Sequence, residues 1–197
     1  MPSDLSRRQF LVAGLSAGLA VALLAGGGFA ALAANNLPLE SPSATALLKG
    51  DNDALLRMLL SGTDPNTRDT ERQPLIVLAA RNGLSAAVDI LLSNRARVDD
   101  LDAFGNTALM WAADRGHTAI VQRLLSAGAN PNLQNSQGTT ALIRAAKEGN
   151  AEAAEALLEA GADITRTDYT GRGALTWAQD GRSRRVIRVL EAAGARD

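Results

Sequence analysis

The chain has no cysteine, a single histidine and only 3% aromatic residues among its 197. Without thiols there can be no disulfide framework, thiol nucleophile, Cys-ligated zinc or lipid-modified N-terminal Cys. His117 follows Gly116 directly and has no second His or Cys near it in sequence to complete a metal pair or a nucleophile–base pair. An excess of one charge is missing too: 20 basic residues face 21 acidic ones, net −1. That balance gives no global attraction for nucleic acid or anionic lipid. No Gly-x-x-x-x-Gly-Lys-Ser/Thr loop occurs, and Gly171-Arg172-Gly173 lacks the third Gly and the preceding strand that a nucleotide site needs. Asp99, Asp100 and Asp102 share one turn without the closing Glu of a calcium loop, so they read as solvated acids. These absences argue against an enzyme and imply no catalytic residue, no metal and no cofactor. With few aromatics, the core must come from Ala, Leu, Ile and Val, which suits short, closely packed helices.

What is present is a repeat. From Gly105 to Asn132 the sequence reads as a turn, a helix from Thr107 to Arg115, a stop at Gly116, a second helix from Thr118 to Ser126, and an end at Gly128. At an offset of 33, Gly105, Thr107, Leu109, Ala112, Ala113, Gly116, Leu124, Leu125, Gly128 and Ala129 return as Gly138, Thr140, Leu142, Ala145, Ala146, Gly149, Leu157, Leu158, Gly161 and Ala162. Apolar pairs mark the second helix of each copy: Leu59-Leu60, Leu91-Leu92, Leu124-Leu125, Leu157-Leu158 and Val189-Leu190, at steps of 32, 33, 33 and 32. The spacing predicts five copies, with the outer two abbreviated and one residue lost near Asp180-Gly181. The first helix is expected at Ser41-Pro42, a capping Ser with Pro at the first helical position, and is expected to end near Lys49-Gly50.

This pattern resembles the ankyrin repeat, whose period is 33 residues. The resemblance implies an all-α, helix–turn–helix solenoid of about five repeats with short β-hairpin loops, approximately 42–66, 67–99, 100–132, 133–165 and 166–197. The signature His of the first helix is absent, its column running Val77, Met110, Ile143, Thr176. The signature Pro becomes Ala108, Ala141 and Ala174, with Pro74 one place out of register. The second copy carries Arg72 at a turn Gly position and Asn94-Arg95 at a helix stop, so it is expected to be the least regular.

The N-terminal segment has a separate character. Ser6-Arg7-Arg8-Gln9-Phe10-Leu11 opens a charge-free run that reaches Ala34, diluted by Gly14, Gly18 and Gly26-Gly27-Gly28, with a small-x-small site at Ala31-Leu32-Ala33. It resembles a twin-arginine export signal, with Arg7, Arg8, Phe10 and Leu11 as its recognition residues. That implies passage through the twin-arginine translocase to a bacterial periplasm, a route often used by folded, cofactor-loaded redox enzymes. Cleavage is expected after Ala33, leaving 34–41 as a linker. The alternative is a retained anchor, since the uncharged run is long enough to span a bilayer, and then the domain would be tethered to the inner membrane.

Such repeats bind other proteins along a surface formed by hairpin tips and first helices. The tip positions are Arg68 and Glu71, then Leu101, Phe104 and Asn106, then Gln134 and Gln137, then Arg166, Tyr169 and Arg172. Phe104 and Tyr169 are the strongest anchor candidates, because aromatics and Arg dominate interface hot spots. Arg81, Asp114, Arg115, Lys147 and Glu148 at the ends of the first helices fall on the same side. Trp111, Arg144 and Trp177 share one column, preceded by Leu78. A guanidinium there could stack on an indole, forming a groove wall; the structural alternative is that both indoles pack between repeats with Arg144 covering them. The expectation is a monomeric, non-enzymatic binding module for one protein partner, possible client classes including an exported redox enzyme. A small-molecule or metal-dependent hydrolase would instead require a compact pocket of convergent polar groups. The Arg-rich run Arg182, Arg184, Arg185, Arg188 reads as a solvated capping face over Val186, Ile187, Val189 and Leu190.

Overall fold

The computed structural model describes residues 41–195; the export motif, its cleavage site and most of the linker lie outside the described residues. Among the described residues, ten helices alternate in length: α1 (Pro42–Leu48), α2 (Asn52–Leu60), α3 (Leu75–Arg81), α4 (Ser85–Ser93), α5 (Ala108–Asp114), α6 (Thr118–Ser126), α7 (Ala141–Glu148), α8 (Ala151–Glu159), α9 (Ala174–Asp180) and α10 (Arg184–Ala192). Odd-numbered helices pack in one row and even-numbered helices in a second, each element touching its partner and the equivalent helix of the next repeat. No helix among the described residues is long and apolar enough to cross a membrane.

Local chemistry sets the helix ends. Ser41 accepts a hydrogen bond from the Ala44 N–H with Pro42 at the first helical position, as expected. Thr107 and Thr140 cap α5 and α7 in the same way, through the N–H groups of Met110 and Ile143. Pro74 occupies this capping column in the second repeat and offers no side-chain acceptor. Val77, Met110 and Ile143 are fully buried, so the column of the missing signature His serves the core in three repeats, while Thr176 in the last is exposed. The rest of the core is Ala, Leu, Ile and Val, as the composition requires.

Three columns of left-handed backbone fix the phase of the repeat. The first-helix stops are Gly50, Gly83, Gly116, Gly149 and Arg182; the second-helix stops are Gly62, Arg95, Gly128, Gly161 and Gly194; the tips are Arg72, Gly105, Gly138 and Gly171. Every step is 33. The irregular steps read from apolar pairs are therefore wrong. Met58, not Leu59, stands in the column of Leu91, Leu124, Leu157 and Leu190, and no residue is lost near Asp180-Gly181, because Arg182 takes the place of Gly149. Helices α3 and α4 have the same lengths as α1 and α2, so the second repeat is regular in geometry. Its departure is strain: Arg72 has φ 62° and Arg95 φ 66°.

Left-handed backbone costs an L-residue roughly 1–2 kcal/mol, and glycine gives back part of that through its larger entropy loss on folding. Arg95→Gly is therefore expected to stabilise the domain by about 0.5–1 kcal/mol, measured as a higher midpoint in urea at unchanged m-value. The side chain of Arg95 is exposed, so its removal costs little.

The tip loops are tighter than β-hairpins. Among the described residues they contain only two isolated bridges, Arg68 with Pro74 and Thr167 with Gly173. Each loop closes instead on an Asp or Asn. Asp69, Asp102, Asn135 and Asp168 donate their N–H groups to the carbonyls of Gln73, Asn106, Thr139 and Arg172, four residues on.

Candidate functional site: a groove with two indole floors

The side chain of each tip Asp or Asn turns back into its own loop. Asp102 Oδ1 accepts from the N–H groups of Phe104 and Asn106, both at 2.8 Å, while Oδ2 accepts from Asn106 Nδ2 at 3.0 Å and from Trp111 Nε1 at 2.9 Å. Asp168 repeats this two units later with Thr170, Arg172 and, at 2.8 Å, Trp177 Nε1. Each indole is held from behind by its own loop. The expectation that Asp102 is a solvated acid is overturned: it is buried, and burial by itself would raise its pKa. The bonds from Asn106, Trp111 and Phe104 outweigh that and hold the carboxyl below its ordinary value. Asp168 is depressed by the same balance. Asp99 shows the opposite, raised by burial that its bond from the Asn130 N–H does not offset.

With its N–H tied down, each ring presents its faces to cations. The Arg81 and Arg144 guanidinium carbons each lie 4.9 Å from the Trp111 centroid. Lys147 Nζ lies 5.0 Å from the Trp177 centroid and the Arg172 guanidinium carbon 3.8 Å. The two alternatives for this column thus resolve into a mixture. Arg144 stacks on Trp111, both indoles are half-buried, and both form groove floor. Arg144 is fixed further by Asp114 at 2.8 Å and by Asn106 Oδ1 at 3.0 Å.

Two open hollows follow. The first, about 450 Å³, is lined by Glu71, Arg81, Phe104, Trp111, Gln137 and Arg144 among others. The second, about 470 Å³, is lined by Asp114, Arg144, Lys147, Tyr169 and Trp177 among others. Phe104 and Tyr169 stand at the rims, 69% and 74% exposed.

The remaining expected site residues divide by what they touch. Asn106, placed by sequence at an exposed tip, is only 2% exposed and accepts from both Arg144 and Asn135, so it supports the groove from inside. Arg68 bridges to the Leu101 carbonyl and to Asp100, and Gln134 to the Thr167 carbonyl, so both tie neighbouring loops together. Glu71, Leu101, Arg115 and Gln137 remain exposed. Arg172 pairs with Asp180. Sequence reasoning missed Asp102, Asn135 and Asp168 as supporting residues. The signal was available, because an Asp or Asn stands three residues before every left-handed tip.

His117 lies over the preceding repeat: a Cβ at Gly83 would come within 2.9 Å of its ring. Asn150 occupies the equivalent place in the next unit and donates to the Ala113 and Asp114 carbonyls at the end of α5. In the capping run, Arg185 pairs with Glu152, Val186 and Leu190 are fully buried, and Ile187 and Val189 are half-buried.

A family model described as ankyrin repeats in three copies matches residues 44–135 and again 117–196. The chain belongs to the ankyrin-repeat family. Members of this family are generally non-enzymatic, and the ankyrin repeats support a protein–protein interaction module. Similar proteins include the potassium channels GORK and SKOR of Arabidopsis thaliana, each 37% identical over 65 residues. Serine/threonine-protein kinase 12 of the same plant is 36% identical over 59 residues. Those stretches cover 30–33% of this ankyrin-repeat chain but only 8–13% of the relatives.

Proposed function

We propose that this chain is exported by the twin-arginine route and binds one protein partner in the periplasm through the face that carries the two hollows. The observation that carries the docking reading is the pair of rim aromatics, Phe104 and Tyr169, exposed beside half-buried indoles whose polar groups are already satisfied. An exposed aromatic beside a preformed hollow offers apolar area and little ordering cost to a partner. The export reading is supported by Ser6-Arg7-Arg8-Gln9-Phe10-Leu11 and by Ala31-Leu32-Ala33. A redox enzyme exported by the same route is one class of partner. Both binding and export are served by a solenoid dominated by local contacts, which folds quickly and can cross a membrane already folded.

Affinity capture from periplasmic extract tests the docking reading. The wild-type chain is expected to retain a protein that the Phe104→Ala/Tyr169→Ala variant retains roughly tenfold less, at unchanged thermal stability. Equal retention by the variant removes these anchors. N-terminal sequencing of the processed chain tests export: a start at Ala34 supports release into the periplasm, and an intact N-terminus supports the membrane-tethered form.

A further inference from the structure

Resting on the docking reading, we infer that the groove recognises an extended peptide segment carrying two carboxylate side chains about six residues apart. Arg81 and Lys147 are separated by two whole repeats, as are Trp111 and Trp177. Each of these cations lies over an indole, and among the described residues neither has a carboxylate within ion-pair distance. Among the described residues, the Arg81 guanidinium makes one other polar contact, a long one of 3.5 Å to Gln73. The acids nearby are already engaged: Asp102 and Asp168 by their loops and indoles, Asp114 by Arg144 and Arg115. The second hollow, with the unmatched Lys147 ammonium and the rim aromatic Tyr169, suits a side chain with an apolar stem and a carboxylate end. The first hollow is the weaker site, because Glu71, hydrogen-bonded to Gln73, lines it as well.

The spacing follows from the stack. Neighbouring helices lie about 8–10 Å apart, so two repeats span about 16–20 Å. An extended chain covers about 3.3 Å per residue and turns alternate side chains to opposite faces, so carboxylates on one face are about six residues apart.

Fluorescein-labelled Ser–Gly peptides bearing two Glu-Leu pairs, with the Glu residues six positions apart, test this by fluorescence anisotropy on the full chain. Controls carry Gln for Glu, Lys for Glu, or the Glu residues two positions apart. The matched acidic peptide is expected to bind at least tenfold tighter than every control and to weaken with added salt. Lys147→Gln should lower its affinity about tenfold, Arg81→Gln about threefold, and Lys147→Arg should keep most of it. Equal binding of the Gln peptide, indifference to spacing, unchanged affinity in both Gln variants, or no binding by a millimolar overturns the inference. A periplasmic partner lost on Phe104→Ala/Tyr169→Ala substitution but kept by Arg81→Gln/Lys147→Gln would sink this inference and leave the docking reading standing.

Discussion

Asp102→Ala is expected to destabilise the solenoid by about 3–4 kcal/mol, lowering Tm by roughly 10 °C for a domain of this size. The carboxylate satisfies the N–H groups of Phe104 and Asn106, the Asn106 amide and the Trp111 indole at once. Truncation leaves at least one fully buried donor, the Asn106 N–H, without an acceptor, at about 1–3 kcal/mol, and loses several bonds to a charged group. Asn106 also holds Asn135 and Arg144, so the loss reaches the next repeat. Asp168→Ala removes a similar set of bonds in the last repeat, which has a neighbour on one side only. It should cost about half as much, because a terminal unit can fray without the rest. Thermal melts of both variants check this, and equal losses would show that the loop–indole unit acts independently of its place in the stack.

The same carboxylates set the acid limb of stability. Their folded pKa values lie below the ordinary aspartate value. The stability they contribute is therefore fully present above the unfolded pKa near 4 and is lost as pH falls through the folded value. Asp99, raised by burial, works in the opposite sense: its contribution is greatest below the unfolded pKa and is lost as pH rises through the folded one. Asp102→Ala should accordingly flatten the fall of Tm with pH below about 4, besides lowering Tm at neutrality.

The repeat was legible because its most constrained backbone positions are mostly glycine. A left-handed residue after each helix and at each tip recurs every 33 positions, and glycine is the residue that adopts it without strain. Where arginine takes the same conformation, at Arg72, Arg95 and Arg182, the marker disappears from the sequence. Arg182 hides the first-helix stop of the last repeat. In the first repeat Gly50 and Gly62 keep the period, but the Leu59-Leu60 pair matches the later Leu-Leu pairs more readily than Met58-Leu59, so the phase of the outer repeats slips by one. Phe104 and Tyr169 could be placed because an aromatic between two turn residues has no core to enter. The support behind them could not be placed so easily. Asp102 and Asn106 look like surface residues of a polar turn, and only the fold back onto Trp111 makes them interior. Which cation covers which indole depends on rotamers, which column alignment does not contain.

Gly138→Ala is expected to cost about 3 kcal/mol, and Gly171→Ala only about 1–2, although both residues have left-handed backbone, φ 76° and 81°. A Cβ at Gly171 meets nothing within 4 Å, so that variant isolates the backbone penalty. At Gly138 the added carbon would lie 2.6 Å from Tyr169 Cδ1 and 2.8 Å from the Tyr169 backbone N. The ring could swing aside, but the backbone N is held by its bond to the Gln137 carbonyl at 3.1 Å, so relief requires the two tips to separate. Breaking that bond and the packing around it adds about 1–2 kcal/mol to the conformational cost. Because the displaced residue is a rim aromatic, Gly138→Ala should also weaken partner retention when compared at a temperature where both variants are folded. Urea midpoints separate the stability terms, and capture from periplasmic extract reads the second effect. Retention by Gly138→Ala matching that of Gly171→Ala would mean that the position of Tyr169 does not matter for docking.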